Sequence, residues 1–403
     1  MSRDRGTDAS VVEYYAGKSV FVTGGSGFLG RVFLEKLLYH CADVARVYVL
    51  LRDQGKVTFD ERIKEITRQP VFERLLKHRP EILQKIIPVS GDITLPGLGI
   101  NPQVAHILHN EVSVVFHTAA LVKFKDKLET LFDMNTEGSR RVLEFCRKMR
   151  YLEVYLHVSS AYSQSQNKII YEQLYPSPGD AEDIKSYIHL YDDNPDEYKY
   201  ILQGRPNAYT LTKALAESIV AEAGQENHLP IIILRPSIIY KDPVPGWVDN
   251  FFGATGFAAS ICKGFNHVVY SHPDNIMDLI PVDFVANAMI AAAAKYKRLV
   301  LPSYLSKLLI SMITLFTELL PAVMIDGWLW ITNREPWLVH CSTGEKEIEI
   351  FFYTYSSRLR TLHLLLTPEE QDIFEFNSKR ICWDEYLNVF VAGMERYLFQ
   401  RKK

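Results

Sequence analysis

The β-branched run Ser19–Thr23 passes directly into Thr23-Gly24-Gly25-Ser26-Gly27-Phe28-Leu29-Gly30, and a helix-period stretch begins at Phe28. No other feature narrows the possible folds as much. A strand that turns at once into a helix through three spaced glycines belongs at the carboxyl edge of an open α/β sheet. Gly24 permits the tight turn, Gly27 a close approach of backbone to a pyrophosphate, and Gly30 close contact between helix and sheet. The helix start then presents unpaired N–H groups to the phosphates. Thr23, Gly24, Gly25, Ser26, Gly27, Phe28, Leu29 and Gly30 are therefore the candidate dinucleotide cradle.

The same alternation continues. Ser19–Thr23, Arg46–Leu51, Ile86–Val89, Val112–His117, Val154–Ser159 and Ile231–Arg235 read as strands. Phe28–Tyr39, Phe59–Arg68, Leu128–Arg150, Ala208–Glu226 and Val282–Lys297 read as helices. The strands are nearly continuous apolar runs, as expected where helices cover both faces. The pattern predicts an α/β fold, a Rossmann-type doubly wound parallel sheet over residues 15–298. Substrate-subdomain insertions are expected at about 163–207 and 240–281, since the chain between Gln164 and Pro206 is polar and non-periodic. Beyond Arg298, residues 299–331 are strongly apolar, and 332–403 return to an amphipathic mixture read as a mostly helical C-terminal domain.

Composition closes off other classes. The 403 residues carry a formal net charge of −3 and no run of Lys or Arg, which argues against a nucleic-acid partner. Five scattered cysteines lack metal-ligand or redox spacing, so reduced thiols and no metal are expected. The first fifteen residues hold no apolar run of signal-peptide type, which places the expected protein facing the cytosol. A homo-oligomer is compatible with the sequence.

The second strand ends Leu50-Leu51-Arg52-Asp53. An acidic residue at this tip would accept from a ribose 2′-hydroxyl, whereas Arg pairs with a 2′-phosphate. Arg52 comes directly off the apolar run and takes the tip position, with Asp53 in the turn beyond, which favours NADPH over NADH.

Asn207-Ala208-Tyr209-Thr210-Leu211-Thr212-Lys213 opens a helix, and four-residue spacing puts Tyr209 and Lys213 on one face. A phenol with pKa near 10 is a poor acid–base catalyst at neutrality, and an ammonium beside it favours the phenolate. His157-Val158-Ser159-Ser160 ends a strand at the sheet's ligand-binding edge. Ser160 is the candidate donor to a substrate oxygen, with Ser159 in reserve.

With these motifs in hand, the chain resembles the extended short-chain dehydrogenases, and among them the alcohol-forming fatty acyl-CoA reductases. The likeness extends to Gly91-Asp92-Ile93, Phe116-His117-Thr118-Ala119-Ala120, Asn135-Thr136-Glu137-Gly138, Leu234-Arg235-Pro236-Ser237, Pro245-Gly246-Trp247-Val248-Asp249-Asn250 and Ile280-Pro281-Val282-Asp283. It includes the tail from Phe374-Glu375-Phe376 through Trp383-Asp384-Glu385-Tyr386 to Arg396-Tyr397-Leu398. The resemblance implies that Asp92 and Ile93 contact the adenine and that Ala119 and Ala120 line the cofactor's inner face. Asn135 would hold a water that relays protons to Lys213, and Pro236 and Ser237 would line the nicotinamide pocket. Read from the residues alone, Asn135 would merely bend a long helix and Pro236 merely end a strand. The activity implied is NADPH-dependent reduction of a long-chain acyl-CoA through an aldehyde to a primary alcohol. Sugar-nucleotide epimerases, sterol dehydrogenases and non-catalytic dinucleotide sensors are the rival readings. Arg52 and the apolar stretch speak against the epimerase, and the retained Tyr209 and Lys213 against the non-catalytic sensor.

Two features sit apart from this picture. Leu308–Ile325 is interrupted by Glu318, too short on either side for the roughly 20 apolar residues of a span. It reads either as core helices or as a membrane-surface hairpin, and an acyl substrate tips the expectation toward association with endoplasmic reticulum or peroxisome. In the resembled reductases, a further strand and helix follow the counterpart of Val282–Lys297. Here Tyr296-Lys297-Arg298 gives way directly to Leu299-Val300-Leu301-Pro302, so the chain reads as internally shortened. Gly253-Ala254-Thr255-Gly256 also stands where the family reads Gly-Pro-Thr-Gly.

Overall fold

The computed structural model describes residues 9–296 except 54, 56, 125, 168, 192–197, 228, 241–246, 248–252 and 267–277, and residues 357–396 except 383–385, 387, 388, 393 and 395. The apolar segment 299–331 lies outside the described residues, as does all of 332–356.

Helix α1 (Val11–Tyr15) begins on a Ser10 capping box and leads into β1 (Ser19–Thr23) and α2 (Phe28–His40). Strand β2 (Arg46–Leu51), α3 (Phe59–Thr67), α4 (Glu73–His78), β3 (Ile86–Ser90), α5 (Pro102–Glu111) and β4 (Val112–His117) follow. Next come α6 (Leu128–Leu131), α7 (Gly138–Cys146), β5 (Val154–Val158), α8 (Ala181–Tyr191), α9 (Tyr198–Leu202), α10 (Ala208–Asn227) and β6 (Ile231–Leu234). Strand β7 (Ile238–Tyr240), α11 (Gly253–Cys262), β8 (Leu279–Pro281), α12 (Val282–Ala294), α13 (Ser357–Leu364) and α14 (Pro368–Ile373) complete the described elements.

The main sheet has the order β3-β2-β1-β4-β5-β6, with every neighbour parallel. Its two faces are read off alternate residues. Val20, Val22, Val49, Val114, Phe116 and Leu156 join one core with α2 and α12, whereas Phe21, Tyr48, Leu50, Val115 and Tyr155 join the other with residues of α7 and α10. Two cores on opposite faces are what doubly wound means physically.

The expected strands and the helices outside 128–150 are found within a few residues of their limits. The stretch read as one helix over Leu128–Arg150 is α6, a π-helical turn at Phe132–Glu137, and α7. The polar insertion carries α8 and α9, which its irregular pattern concealed. The small parallel sheet β7–β8 was also not foreseen. The tail packs into the first core: Leu362, Leu366, Phe374 and Phe376 lie with Val285, Met289 and Val11. Asn287 donates to the Glu375 carbonyl at 2.7 Å.

Candidate active site

The cradle is built to stay empty of side chains. Gly24 has φ +77°, and a Cβ there would lie 2.6 Å from the Ala119 nitrogen. A Cβ on Gly25 would meet Val49 at 2.6 Å, and one on Gly30 would strike the Gly24 carbonyl. Gly27 is the N-cap of α2 and offers no side-chain acceptor to its first N–H groups. Those orphan donors therefore face outward from a helix start, where an anion is favoured. Thr23, Gly25 and Gly30 are buried, Gly24, Phe28 and Leu29 half-buried, and Ser26 and Gly27 exposed. This is the shape a dinucleotide pyrophosphate requires.

At the tip of β2 Arg52 is exposed, and its carbonyl accepts from the Arg62 guanidinium. Asp53 turns back on its own loop, accepting from the Gly55 nitrogen at 2.8 Å. Asp92 accepts from the backbone and hydroxyl of Thr94 at 2.9 and 3.0 Å. Ile93 is buried and fills the space beside Gly138, where a Cβ would come within 2.9 Å of it. Ala119 and Ala120 are half-buried after β4, and the Ala119 nitrogen donates to the Thr23 hydroxyl at 3.4 Å.

The carboxyl edge collects the remaining candidates. Register pairs Thr23 with His117 and His117 with His157, so β1, β4 and β5 end side by side. Tyr209 is buried, and the Ser160 hydroxyl acts on its phenol. Ser159, by contrast, has a buried hydroxyl with no partner among the described residues. Lys213, fully buried, donates to the Val158 carbonyl at 2.7 Å. Burial pushes the Tyr209 phenol up to about 12, with the Ser160 hydrogen bond acting against it. Burial also brings the Lys213 ammonium down to about 8, opposed by the Glu217 carboxylate. The sequence argument expected Lys213 to lower the phenol; here desolvation is the larger effect on both groups. A protonated phenol at neutral pH is the form that donates.

Asn135 lies in the π-helical turn and is almost wholly buried. Its amide brackets Leu121, accepting from that nitrogen at 2.8 Å and donating to that carbonyl at 3.1 Å, and also donates to the Thr212 hydroxyl at 3.2 Å. It therefore ties the loop after β4 to the helix that carries Tyr209 and Lys213. The Pro236 carbonyl accepts from Ala161 at 2.9 Å, and Ser237 donates to the Asp278 carbonyl at 2.7 Å.

Several neighbours carried no signal in the reading of the sequence. Phe124 is 58% exposed yet stands edge-on to Tyr209, ring centroids 5.3 Å apart. His117 and His157 are buried with rings 5.3 Å apart. Glu217, four residues beyond Lys213, was legible as a third member of the same helix face.

An uncapped glycine loop feeding α2, with a Ser–Tyr pair and a buried lysine across the same sheet edge, defines a nicotinamide-dependent oxidoreductase of the extended short-chain class. A family model described as Male sterility protein, NAD-binding, matches residues 22–289. Over 98% of its length the chain is 30% identical to fatty acyl-CoA reductase 1 of Rattus norvegicus and 31% identical to that of Gallus gallus, covering 87% of each. It is 28% identical to human fatty acyl-CoA reductase 2, over 97% of the chain. The chain belongs to the fatty acyl-CoA reductase family. Its fold is shared with the terminal R domain of the myxalamid PKS-NRPS pathway, at TM-score 0.61, 18% identity and 96% and 92% coverage of the two chains. It is also shared with the R domain of a non-ribosomal peptide synthetase from Mycobacterium tuberculosis, at TM-score 0.53, 17% identity and 97% and 89% coverage. The rat alignment runs over 449 positions, whereas 98% of 403 residues is about 395, so roughly 54 positions of that relative face no residue here.

Proposed function

We propose that this protein reduces a long-chain fatty acyl-CoA to the primary alcohol, using NADPH. The observation that carries the reading is the buried Tyr209 phenol, on which the Ser160 hydroxyl acts, one helical turn from buried Lys213 at the sheet edge that also holds the glycine cradle. When bound, the nicotinamide supplies hydride. Ser160 and Tyr209 hold the thioester carbonyl oxygen and stabilise its charge as the carbonyl carbon becomes tetrahedral. Collapse of the resulting hemithioacetal breaks the carbon–sulfur bond, and free CoA leaves with a proton. A second reduction of the aldehyde takes its proton from Tyr209. Two hydrides and two protons are consumed for each alcohol and CoA released.

Lys213 places a positive charge beside the phenol, and Asn135 keeps the two on a fixed frame, the place from which a bound water would pass protons to Lys213. Asp92 and Ile93 contact the adenine, Ala119 and Ala120 line the cofactor's inner face, and Pro236 and Ser237 line the nicotinamide pocket. Arg52, exposed at the strand tip while Asp53 is turned into its own loop, supports the 2′-phosphate. Purified protein incubated with NADPH and acyl-CoAs of graded chain length, followed by lipid analysis, tests the reading. Alcohol from long chains is expected, and cofactor oxidation with no acyl product would overturn it.

Residues 308–331 are proposed to hold the protein on the cytosolic face of a membrane such as endoplasmic reticulum or peroxisome. Among the described residues no helix is long and apolar enough to cross a membrane. Removing 308–331 is expected to move the protein from the membrane pellet to the supernatant.

A further inference from the structure

Helix α10 carries a third polar residue below the Tyr209–Lys213 pair. Glu217 is buried, and its position puts it on the same face, one turn beyond Lys213. Its carboxylate accepts from Arg235 twice, at 2.9 Å from Nε and 3.0 Å from Nη2, and from the Ser163 hydroxyl at 3.0 Å. Arg235 also donates to the main-chain carbonyls of Tyr171 and Gln173, at 3.3 and 3.0 Å. Ser163 sits three residues after Ser160, donates to its carbonyl at 3.1 Å, and offers its own carbonyl to Arg205 at 3.2 Å. One buried carboxylate thus faces Arg235 from the end of β6, Arg205 from the loop before α10, and Lys213 from its own helix.

We infer that Glu217 is a positioning residue for the reduction: with Arg235 it anchors the chain following Ser160, and its negative charge keeps Lys213 an ammonium in a buried site. The inference rests on the Tyr209–Lys213 reading above. The other titratable groups facing Lys213 are His117 on β4 and His157 on β5, both kept neutral by burial and both unfavourable to a further positive charge. Among the described residues, Glu217 is the acidic side chain that acts on Lys213. A bidentate Arg pair is also directional, so it fixes where the 171–173 backbone lies as well as how the charges balance.

Glu217→Gln keeps the size and the Ser163 contact and removes the charge. Losing an opposite charge at this range lowers an ammonium's pKa by roughly one unit or more. The alkaline limb of kcat/KM is therefore expected to move to lower pH by about one unit, and activity at pH 8 to fall about fivefold. Glu217→Asp, which retains the charge, is expected to restore the limb. Arg235→Lys keeps the positive charge but loses the fork; it is expected to raise KM with the limb unmoved. Circular dichroism and NADPH fluorescence titration identify variants that fold. A folded Glu217→Gln protein with the wild-type limb overturns the inference. Should Glu217→Gln fail to fold, Glu217→Asp carries the test: a limb displaced by about one unit, as loss of the Glu217 charge would give, also overturns it. If instead Tyr209→Phe is as active as wild type, the catalytic assignment itself fails, a distinct result.

Discussion

Tyr209, at the start of α10, is buried where the Ser160 hydroxyl, two residues past the end of β5, draws its phenol down against the upward push of burial. Tyr209→Phe removes the proton donor and little else, so turnover is expected to fall by a factor of roughly 10² to 10⁴ while NADPH binding stays intact. Stopped-flow turnover and a fluorescence titration on the same preparation check both halves. Ser160→Ala is expected to lower turnover less, since Tyr209 still reaches the oxyanion. A Tyr209→Phe enzyme with near wild-type alcohol output would show that the proton comes from elsewhere.

Arg52 decides the cofactor. A charge-assisted contact to phosphate is worth about 1.5–3 kcal/mol, so Arg52→Ala should weaken NADPH binding by one to two orders of magnitude and leave NADH almost unchanged. Calorimetric titration of both cofactors against both proteins gives the comparison. Equal affinity of the unaltered protein for NADPH and NADH would remove Arg52 from that role.

The histidine pair makes the fold sensitive to acid. His117 is held down to about 3 by burial, first, and by the Lys213 charge; His157, with neither ring nitrogen hydrogen-bonded among the described residues, is held well below its ordinary 6.5, again by burial first. Both stay neutral in the fold and take up protons on unfolding, so the unfolded chain binds more protons below about pH 6.5. Stability therefore rises with pH through that window and is lost as pH falls from 6.5. Each ring accounts for at most about 2 kcal/mol at pH 5. Melting temperatures measured from pH 8 to pH 5 should fall, and His157→Leu should flatten that fall. An unchanged slope in the variant would mean the acid sensitivity lies in other groups.

The shortening expected beyond α12 bears on one edge of the sheet. Among the described residues β6 ends the sheet, and Ile231, Ile232, Ile233 and Leu234 are all half-buried, whereas the strands β1, β4 and β5 are buried throughout. The proposed missing strand and helix at Arg298 would cover such an edge. NADPH binding is expected to survive in the chain as it stands, because every proposed cofactor contact precedes Arg298. Acyl-CoA turnover should be weak, and inserting the corresponding segment of a related reductase at Arg298 should raise it. Vigorous alcohol formation by the 403-residue chain would show the segment to be dispensable.

What the sequence made legible was whatever depends on local pattern. The glycine cradle, the six parallel strands and the Tyr209–Lys213 face follow from spacing and period, and all lie where spacing put them. Contacts made across the sheet left no such trace. The break of Leu128–Arg150 at Asn135 arises because its amide is drawn to Leu121 and Thr212, a tertiary demand that helix propensity does not encode. Phe124 sits in a polar stretch, and only the fold brings it against Tyr209. Arg235 read as part of a strand-end motif, and its partnership with Glu217 depends on β6 lying under α10. The insertion hid α8 and α9 because its apolar residues serve a small separate cluster with Leu211 and Leu215.

Glu370 lies against both early and late parts of the chain: its carboxylate accepts from the Val11 nitrogen and sits 3.7 Å from the Lys295 ammonium. Val11 and Phe376 share one core. A nascent chain emerging from the ribosome can therefore lay down the glycine cradle and most of the sheet early, yet must keep one apolar flank of α12 waiting for Leu362 through Phe376 to be synthesised. Contacts of such long sequence separation form late and slowly. During that interval the chain presents a greasy, unsealed seam, and it is then, rather than after folding is complete, that the molecule most depends on chaperones.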